Sequence, residues 1–158
     1  MLRKYKPGDT KDIYEIFFHP EVNPYMNVYG LSFSSFEKYW KGRLGREKIY
    51  VWEEDKKVVA MLCVRQGGGR CAGTFRMGSF AVHPDWQERG IGKKIIGEIL
   101  NLLKSQNAIR VELMAEADND KAIAFYKNLG FEEEGRLRKY FNREGKLIDE
   151  IVMSVLFR

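Results

Sequence analysis

The chain is predicted to be α/β, with seven strands and four helices in the order β-α-α-β-β-β-α-β-α-β-β. Two strand-to-helix units carry most of that expectation. In the first, the short apolar run Gly78-Ser79-Phe80-Ala81-Val82 is closed by His83-Pro84, and Ile91, Ile95, Ile96, Ile99, Leu102 and Leu103 then recur at helical spacing. In the second, Arg110 to Ala115 reads as a strand, and Ala122, Phe125, Tyr126 and Leu129 follow at i, i+3, i+4 and i+7 of a helix face. The third observation is size. At 158 residues and 44% hydrophobic content, residues 1–158 suit a single domain with one core.

The remaining elements follow in order. Leu2 to Tyr5 is a first strand, and Asp9 begins a helix with the apolar stripe Ile13, Ile16 and Phe17. His19 to Phe33 is irregular, broken by Pro20, Pro24 and Gly30. Ser34 and Glu37 form a capping-box pattern for a second helix through Phe36, Tyr39, Trp40 and Leu44. Ile49–Trp52, Val58–Arg65 and Thr74–Val82 read as antiparallel strands, turned at Glu54-Asp55-Lys56 and Gly67-Gly68-Gly69. Asp118 and Asn119 are N-cap residues for the tyrosine helix, and Gly130 is placed as its C-terminal glycine. Glu132–Phe141 and Leu147–Leu156 close the chain as a hairpin around Asn142-Arg143-Glu144-Gly145.

The segment Gln87-Glu88-Arg89-Gly90-Ile91-Gly92-Lys93 lies where the first unit turns from strand to helix. Glycines let a backbone approach a ligand closely, and the first N–H groups of a helix have no partner inside it. Such a turn suits a pyrophosphate. A dinucleotide fingerprint would need a third glycine where Ile95 stands, and a nucleotide P-loop would need Ser or Thr where Lys94 stands. Both are excluded.

What remains, Gln-x-x-Gly-x-Gly between a strand and a helix, resembles the acyl-CoA turn of the GNAT superfamily of N-acyltransferases. The family's second motif has a strand Leu, then Asn, Ala and Tyr, ending in Gly-Phe; Leu113, Asn119, Ala122, Tyr126 and Gly130-Phe131 match it. The resemblance covers nearly the whole chain. It implies the GNAT fold, a mixed and mostly antiparallel seven-stranded sheet flanked by about four helices, and acetyl-CoA as co-substrate. It further implies that Phe80-Ala81-Val82 pairs with the pantetheine arm like an added strand, through main-chain groups of Phe80 and Val82. The segment Gln87–Lys93, including Glu88 and Ile91, would bind the pyrophosphate through N–H groups of Gln87, Arg89, Gly90, Gly92 and Lys93. Asn119 would bond the pantetheine, and Tyr126 would point at the thioester sulfur.

Acetyl transfer to an amine needs the ammonium to lose a proton and the leaving thiolate to gain one. Tyr126 is the expected acid; its helical spacing also fits a core aromatic. Glu112, Met114 and Glu116 share a strand face. In the family's branch that acetylates protein N-termini, a catalytic glutamate stands five residues before the asparagine; here that residue is Met114. Protein N-terminal acetylation is therefore disfavoured, and Glu112 becomes the candidate base, against its alternative as a solvated strand carboxylate.

Tyr25, Met26 and Tyr29 are candidate substrate residues, either lining a pocket for an apolar group or capping the sheet. The tail from Gly130 to Gly135, with Lys139-Tyr140, Gly145 and Asp149, is similar to bacterial members acetylating free amino acids and related small amines. The expected function is therefore N-acetyl transfer to the primary amine of a small molecule in a ternary complex. Its rivals are polyamine acetylation, favoured by Glu15, Glu21 and Asp149, acetylation of a protein or peptide amine, and a non-catalytic acyl-CoA-binding module.

A net charge of +5 and a pI of about 9.1 do not make a nucleic-acid-binding protein, because basic residues are interspersed with acidic ones and no recognition motif is present. The charge suits a phosphate-rich cofactor. Neither a membrane span nor a leader peptide is encoded, so a cytoplasmic location is expected. His19 and His83 stand far apart in sequence without ligand spacing, so no metal is expected. Cys63 and Cys71 are read as reduced, part-buried thiols. For assembly, a symmetric homodimer is the commonest form among soluble proteins.

Overall fold

Strand β1 (Leu2–Lys4) pairs antiparallel with β2 (Lys48–Glu54), and β2 with β3 (Lys57–Gln66). The β2–β3 loop is the two residues Asp55 and Lys56, at φ 47° and 64°, the left-handed pair that a tight hairpin turn requires. Helices α1 (Thr10–Phe17) and α2 (Phe33–Leu44) lie between β1 and β2 in the chain, followed after β3 by β4 (Thr74–Val82), α3 (Ile91–Ser105), β5 (Arg110–Glu116), α4 (Asp120–Lys127), β6 (Glu132–Arg143) and β7 (Lys146–Leu156). The sheet order is β1-β2-β3-β4-β5-β7-β6, and this computed structural model describes residues Met1–Phe157. The single-domain expectation extends to Arg158, which lies outside the described residues.

The expected element order is the observed one, with small differences at the ends. Helix α2 starts two residues earlier than the Ser34–Glu37 pattern implied, because Ser32 is the N-cap and its hydroxyl accepts from the Ser35 N–H. Asp118 does not cap α4; Asn119 does, and Asp118 instead meets Arg143 and Lys146.

By compactness the chain divides into two units. The first comprises residues 1–65 and 78–99, the second 66–77 and 100–158. In the first, Ile13, Ile16 and Phe17 of α1 and Phe36 and Trp40 of α2 form one buried cluster with Ile49, Val51, Met61 and Cys63 of the strands. Phe17, Phe36 and Trp40 are mutually about one ring apart, with centroids at 5.4–5.5 Å. Ile95, Ile96 and Ile99 of α3 are fully buried as their spacing required. Burial pushes the Cys63 thiol up to about 12, making it an inert core residue. Cys71, by contrast, is free and exposed, not part-buried.

In the second unit, β4 and β5 pair parallel over Thr74–Arg76 against Arg110–Glu112, and β5 continues through Glu116 with β7 antiparallel beside it. β6 and β7 form a long hairpin turned at Glu144 and Gly145, φ 51° and 88°, with Asn142 accepting from the Gly145 N–H at 2.8 Å. Val111, Leu113 and Ala115 face one side of β5 and are buried, as are Ile151 and Met153 opposite them on β7. Arg110, Glu112, Met114 and Glu116 take the other side.

Candidate functional site

In the first unit, β4 ends at Val82 and the chain makes a 3₁₀ turn over Pro84–Trp86. His83 stabilises this turn: its Nδ1 accepts from the Asp85 N–H. The side chain of Gln87 donates back to the Val82 carbonyl at 3.1 Å, and its main-chain N–H donates to Pro84 at 3.0 Å. Gln87 is thus a brace within the turn, and its N–H is already engaged.

The next residues differ. Glu88 sits at φ 61° and Gly90 at φ 76°, both in the left-handed region. Glycine adopts that geometry without steric cost, whereas a glutamate there marks stored strain. The Gly90 carbonyl accepts the α3 bond from Lys94 at 3.0 Å. The main-chain N–H groups of Glu88, Arg89, Gly90, Ile91, Gly92 and Lys93 have no acceptor among the described residues. A Cβ built on Gly90 would meet nothing within 4 Å, so the space above the turn is open. Successive unpaired N–H groups at a helix N-terminus make an anion-binding arrangement. Arg89 lies over the Trp86 ring at 4.7 Å, which fixes a cation beside it.

In the second unit, the Asn119 Oδ1 accepts from the Ala122 N–H at 3.1 Å. The cap occupies the oxygen and leaves its amide NH₂ for other partners. The Tyr126 ring sits against Phe125 and Phe131, at 5.3 and 5.8 Å between centroids. Its hydroxyl bonds no described residue, and burial raises its proton affinity, so the phenol stays protonated throughout the neutral range.

The β5–β7 face holds several carboxylates in different settings. Burial pushes Glu112 up, but bonds from Arg76 at 2.8 Å and Arg110 at 2.9 Å outweigh it and hold the carboxyl below its ordinary range. Arg110 also bonds Glu134, whose carboxyl is held down to about 2 by that contact and by the Ser154 hydroxyl at 2.6 Å. These five residues form one continuous network. Glu112 is an anion with two cations, a poor arrangement for a base.

Glu150 is the opposite case, and nothing in the sequence reading singled it out. It is only 6% exposed, and burial raises its carboxyl to about 7 despite the charge of Arg76. The signal was present: Glu150 interrupts β7 at the same parity as Ile148 and Val152.

Of the substrate candidates, Met26 is 7% exposed and belongs to the core cluster of the first unit. Tyr25 and Tyr29 are 46% and 57% exposed. Asn23 fastens their loop, donating to the Phe17 and Val28 carbonyls at 3.0 Å each. His19 and His83, distant in sequence, come together with ring centroids 5.4 Å apart. Asp149, expected to attract a polycation, is bonded by Arg136 and by the Lys139 N–H, and Glu15 by Lys57 at 3.5 Å. No helix among the described residues is long and apolar enough to cross a membrane.

The acetyltransferase (GNAT) family matches residues 10–131, and the chain belongs to it. Over 159 residues the chain is 30% identical to an L-amino acid N-acetyltransferase of Escherichia coli (strain K12), covering 98% of this chain and 96% of that one. A stretch of 77 residues is 32% identical to a ribosomal protein bS18-alanine N-acetyltransferase of Salmonella typhimurium, covering 49% of this chain and 52% of that one. The chain thus spans about half the length of relatives of that second kind. Among solved structures, a spermidine N-acetyltransferase of Vibrio cholerae in complex with CoA and spermine shares the fold at a TM-score of 0.85. Its identity is 21%, over 99% of this chain and 94% of that one.

Proposed function

We propose that the protein moves an acetyl group from acetyl-CoA to the primary amine of a small molecule, an amino acid or a related amine, by direct attack in a ternary complex. The observation that carries this reading is the row of unpaired N–H groups from Glu88 to Lys93 beneath open space at Gly90. Those donors suit the pyrophosphate of acetyl-CoA, with Gln87 holding the turn rather than the ligand. Main-chain groups at Phe80 and Val82 would take the pantetheine arm.

Tyr126 is the acid in this proposal. Its unbonded hydroxyl, protonated across the neutral range, is suited to give a proton to the departing thiolate, and that favours an enzyme over a silent binding module. Amino acids are preferred over polyamines because the E. coli relative aligned along nearly the whole chain carries that name, and because Asp149 and Glu15 already have cationic partners. Met114 at the family's glutamate position argues against a protein N-terminus.

The test is a thiol-release screen with acetyl-CoA against amino acids, polyamines, peptides and aminoglycosides. Turnover with an amino acid at the highest kcat/KM supports the proposal. Preference for a polyamine or a peptide would redirect it, and binding of acetyl-CoA without turnover of any amine would leave only the binding-module reading.

A further inference from the structure

Four polar or charged residues are buried among the described residues: Asp9, Thr10, Glu150 and Ser154. Three have bonded partners. Asp9 meets Arg3 and the Lys6 N–H at 2.7 Å, Thr10 donates to Pro7 at 2.8 Å, and Ser154 donates to Glu134 at 2.6 Å. Glu150 has none: neither carboxylate oxygen accepts a hydrogen bond from a described residue, and Oε2 is sealed from solvent. Burying a carboxylate without a partner is costly, and such a group stays neutral until a cation reaches it.

Its surroundings are defined on each neighbouring strand. On β5, Glu116 stands directly opposite Glu150, and its carboxylate is paired with Arg143 of β6. On β6, the residue opposite is apolar Leu137. On β4, Arg76 contributes a positive charge but gives its hydrogen bond to Glu112. Two residues along each strand from the pair, Met114 and Val152 supply an apolar floor on the same face. An unpaired carboxylate beside an apolar patch is complementary to a single ammonium carried on a short, partly apolar molecule.

We propose that Glu150 receives the ammonium of the acceptor amine and removes its proton before acetyl transfer. This rests on the acetyl-transfer reading and supplies the base that the sequence sought at Glu112. In the first step one N–H proton passes from the ammonium to a carboxylate oxygen, leaving a neutral amine and a neutral Glu150. The amine lone pair then attacks the thioester carbonyl; the C–N bond forms and the C–S bond breaks. The second amine proton is lost as the thiolate gains one from Tyr126, which that proton restores through solvent. Glu150 finally releases its proton to water. The sum is acetyl-CoA plus ammonium giving acetamide, CoA thiol and one proton. No metal or redox partner is needed for this balance.

The test is the pH dependence of kcat/KM for an accepted amine, measured by thiol release from about pH 5 to about pH 9. The unmodified protein should gain activity as Glu150 ionises at about 7. Glu150→Gln should lower kcat/KM for the amine by about 10²-fold and abolish that limb, with acetyl-CoA affinity within about twofold. Glu150→Asp serves if the glutamine variant does not fold; it should keep the limb at reduced rate, because it keeps a carboxylate in a shorter reach. An active parent whose Glu150→Gln variant keeps both rate and profile, or whose Glu150→Asp variant loses the limb, overturns the role of Glu150 alone. A parent that binds acetyl-CoA yet acetylates no amine overturns the transfer reading and this one together.

Discussion

The turn after β4 and the face of β5 and β7 present polar groups in opposite ways. The turn offers main-chain N–H groups, and its side chains brace it: Gln87 against Val82, Arg89 over Trp86. The face offers side chains, and their neighbours decide what each can do. At one end, two guanidiniums hold Glu112 charged; toward the other, burial holds Glu150 near neutrality. A main-chain site depends on backbone conformation and tolerates varied side chains. A side-chain site can be created or abolished by one neighbouring cation.

Perturbing each region should therefore fail differently. The largest effect is expected at Tyr126, where phenylalanine keeps the ring contacts with Phe125 and Phe131 and removes the hydroxyl. Tyr126→Phe should reduce kcat by about 10²-fold with acetyl-CoA affinity little changed. Retention of most of kcat at neutral pH would make Tyr126 a packing residue.

Gly90→Val acts on the turn through the backbone alone, since open space surrounds the position while φ is 76°. Acetyl-CoA affinity by calorimetry should fall by at least about tenfold, equivalent to about 1.4 kcal/mol, with the fold retained. An affinity within about threefold of the parent would remove the turn from the binding site.

Tyr29→Ala removes an exposed ring from the loop that Asn23 fastens. The amine's KM should rise about threefold to tenfold while that of acetyl-CoA stays constant. Equal changes in both would assign Tyr29 to packing.

Glu112→Gln sharpens the contrast within the face. Losing its charge weakens a part-exposed ion network, and stability in urea should drop by about 1 kcal/mol. The low-pH limb of the rate profile should remain, since Glu112 is already ionised below its ordinary range. Disappearance of that limb would return the base to Glu112.

The contrast also explains what could be read from the chain. Element order and both family motifs were visible because they depend on local spacing: Gly90 and Gly92 at a helix start, Ala122 and Tyr126 on one helix face. Ser32 displaced Ser34 as the cap because either serine suits the motif and only the backbone selects between them. Met26 was grouped with its exposed neighbours Tyr25 and Tyr29, yet an irregular segment has no period from which burial could be inferred. Glu112 and Glu150 have the same side chain, and what separates them is Arg76 and Arg110, brought to one of them by β4 pairing and by β5 itself. Parity on β7 hinted at Glu150, but the absence of a partner is a tertiary fact.

The difference between these two carboxylates is also a statement about stability. The neutral form of Glu150 is the one the fold favours, so its contribution is fully present below the ordinary 4.5 and is lost as pH rises through about 7. Glu150→Gln should therefore raise Tm relative to the parent above about pH 7 and leave it nearly unchanged below about pH 4.5, with a ceiling of about 3 kcal/mol. Glu112 has the opposite sign: its depressed proton affinity stabilises the fold above the ordinary 4.5, and that gain is lost as pH falls through its lower value. The most direct measurement is carboxyl carbon NMR on protein labelled at glutamate, with Glu112→Gln and Glu150→Gln used to assign the two resonances. The account predicts a Glu150 midpoint at about 7 and a Glu112 midpoint below 4.5. A Glu150 resonance titrating at or below 4.5, alongside Glu112, would contradict it.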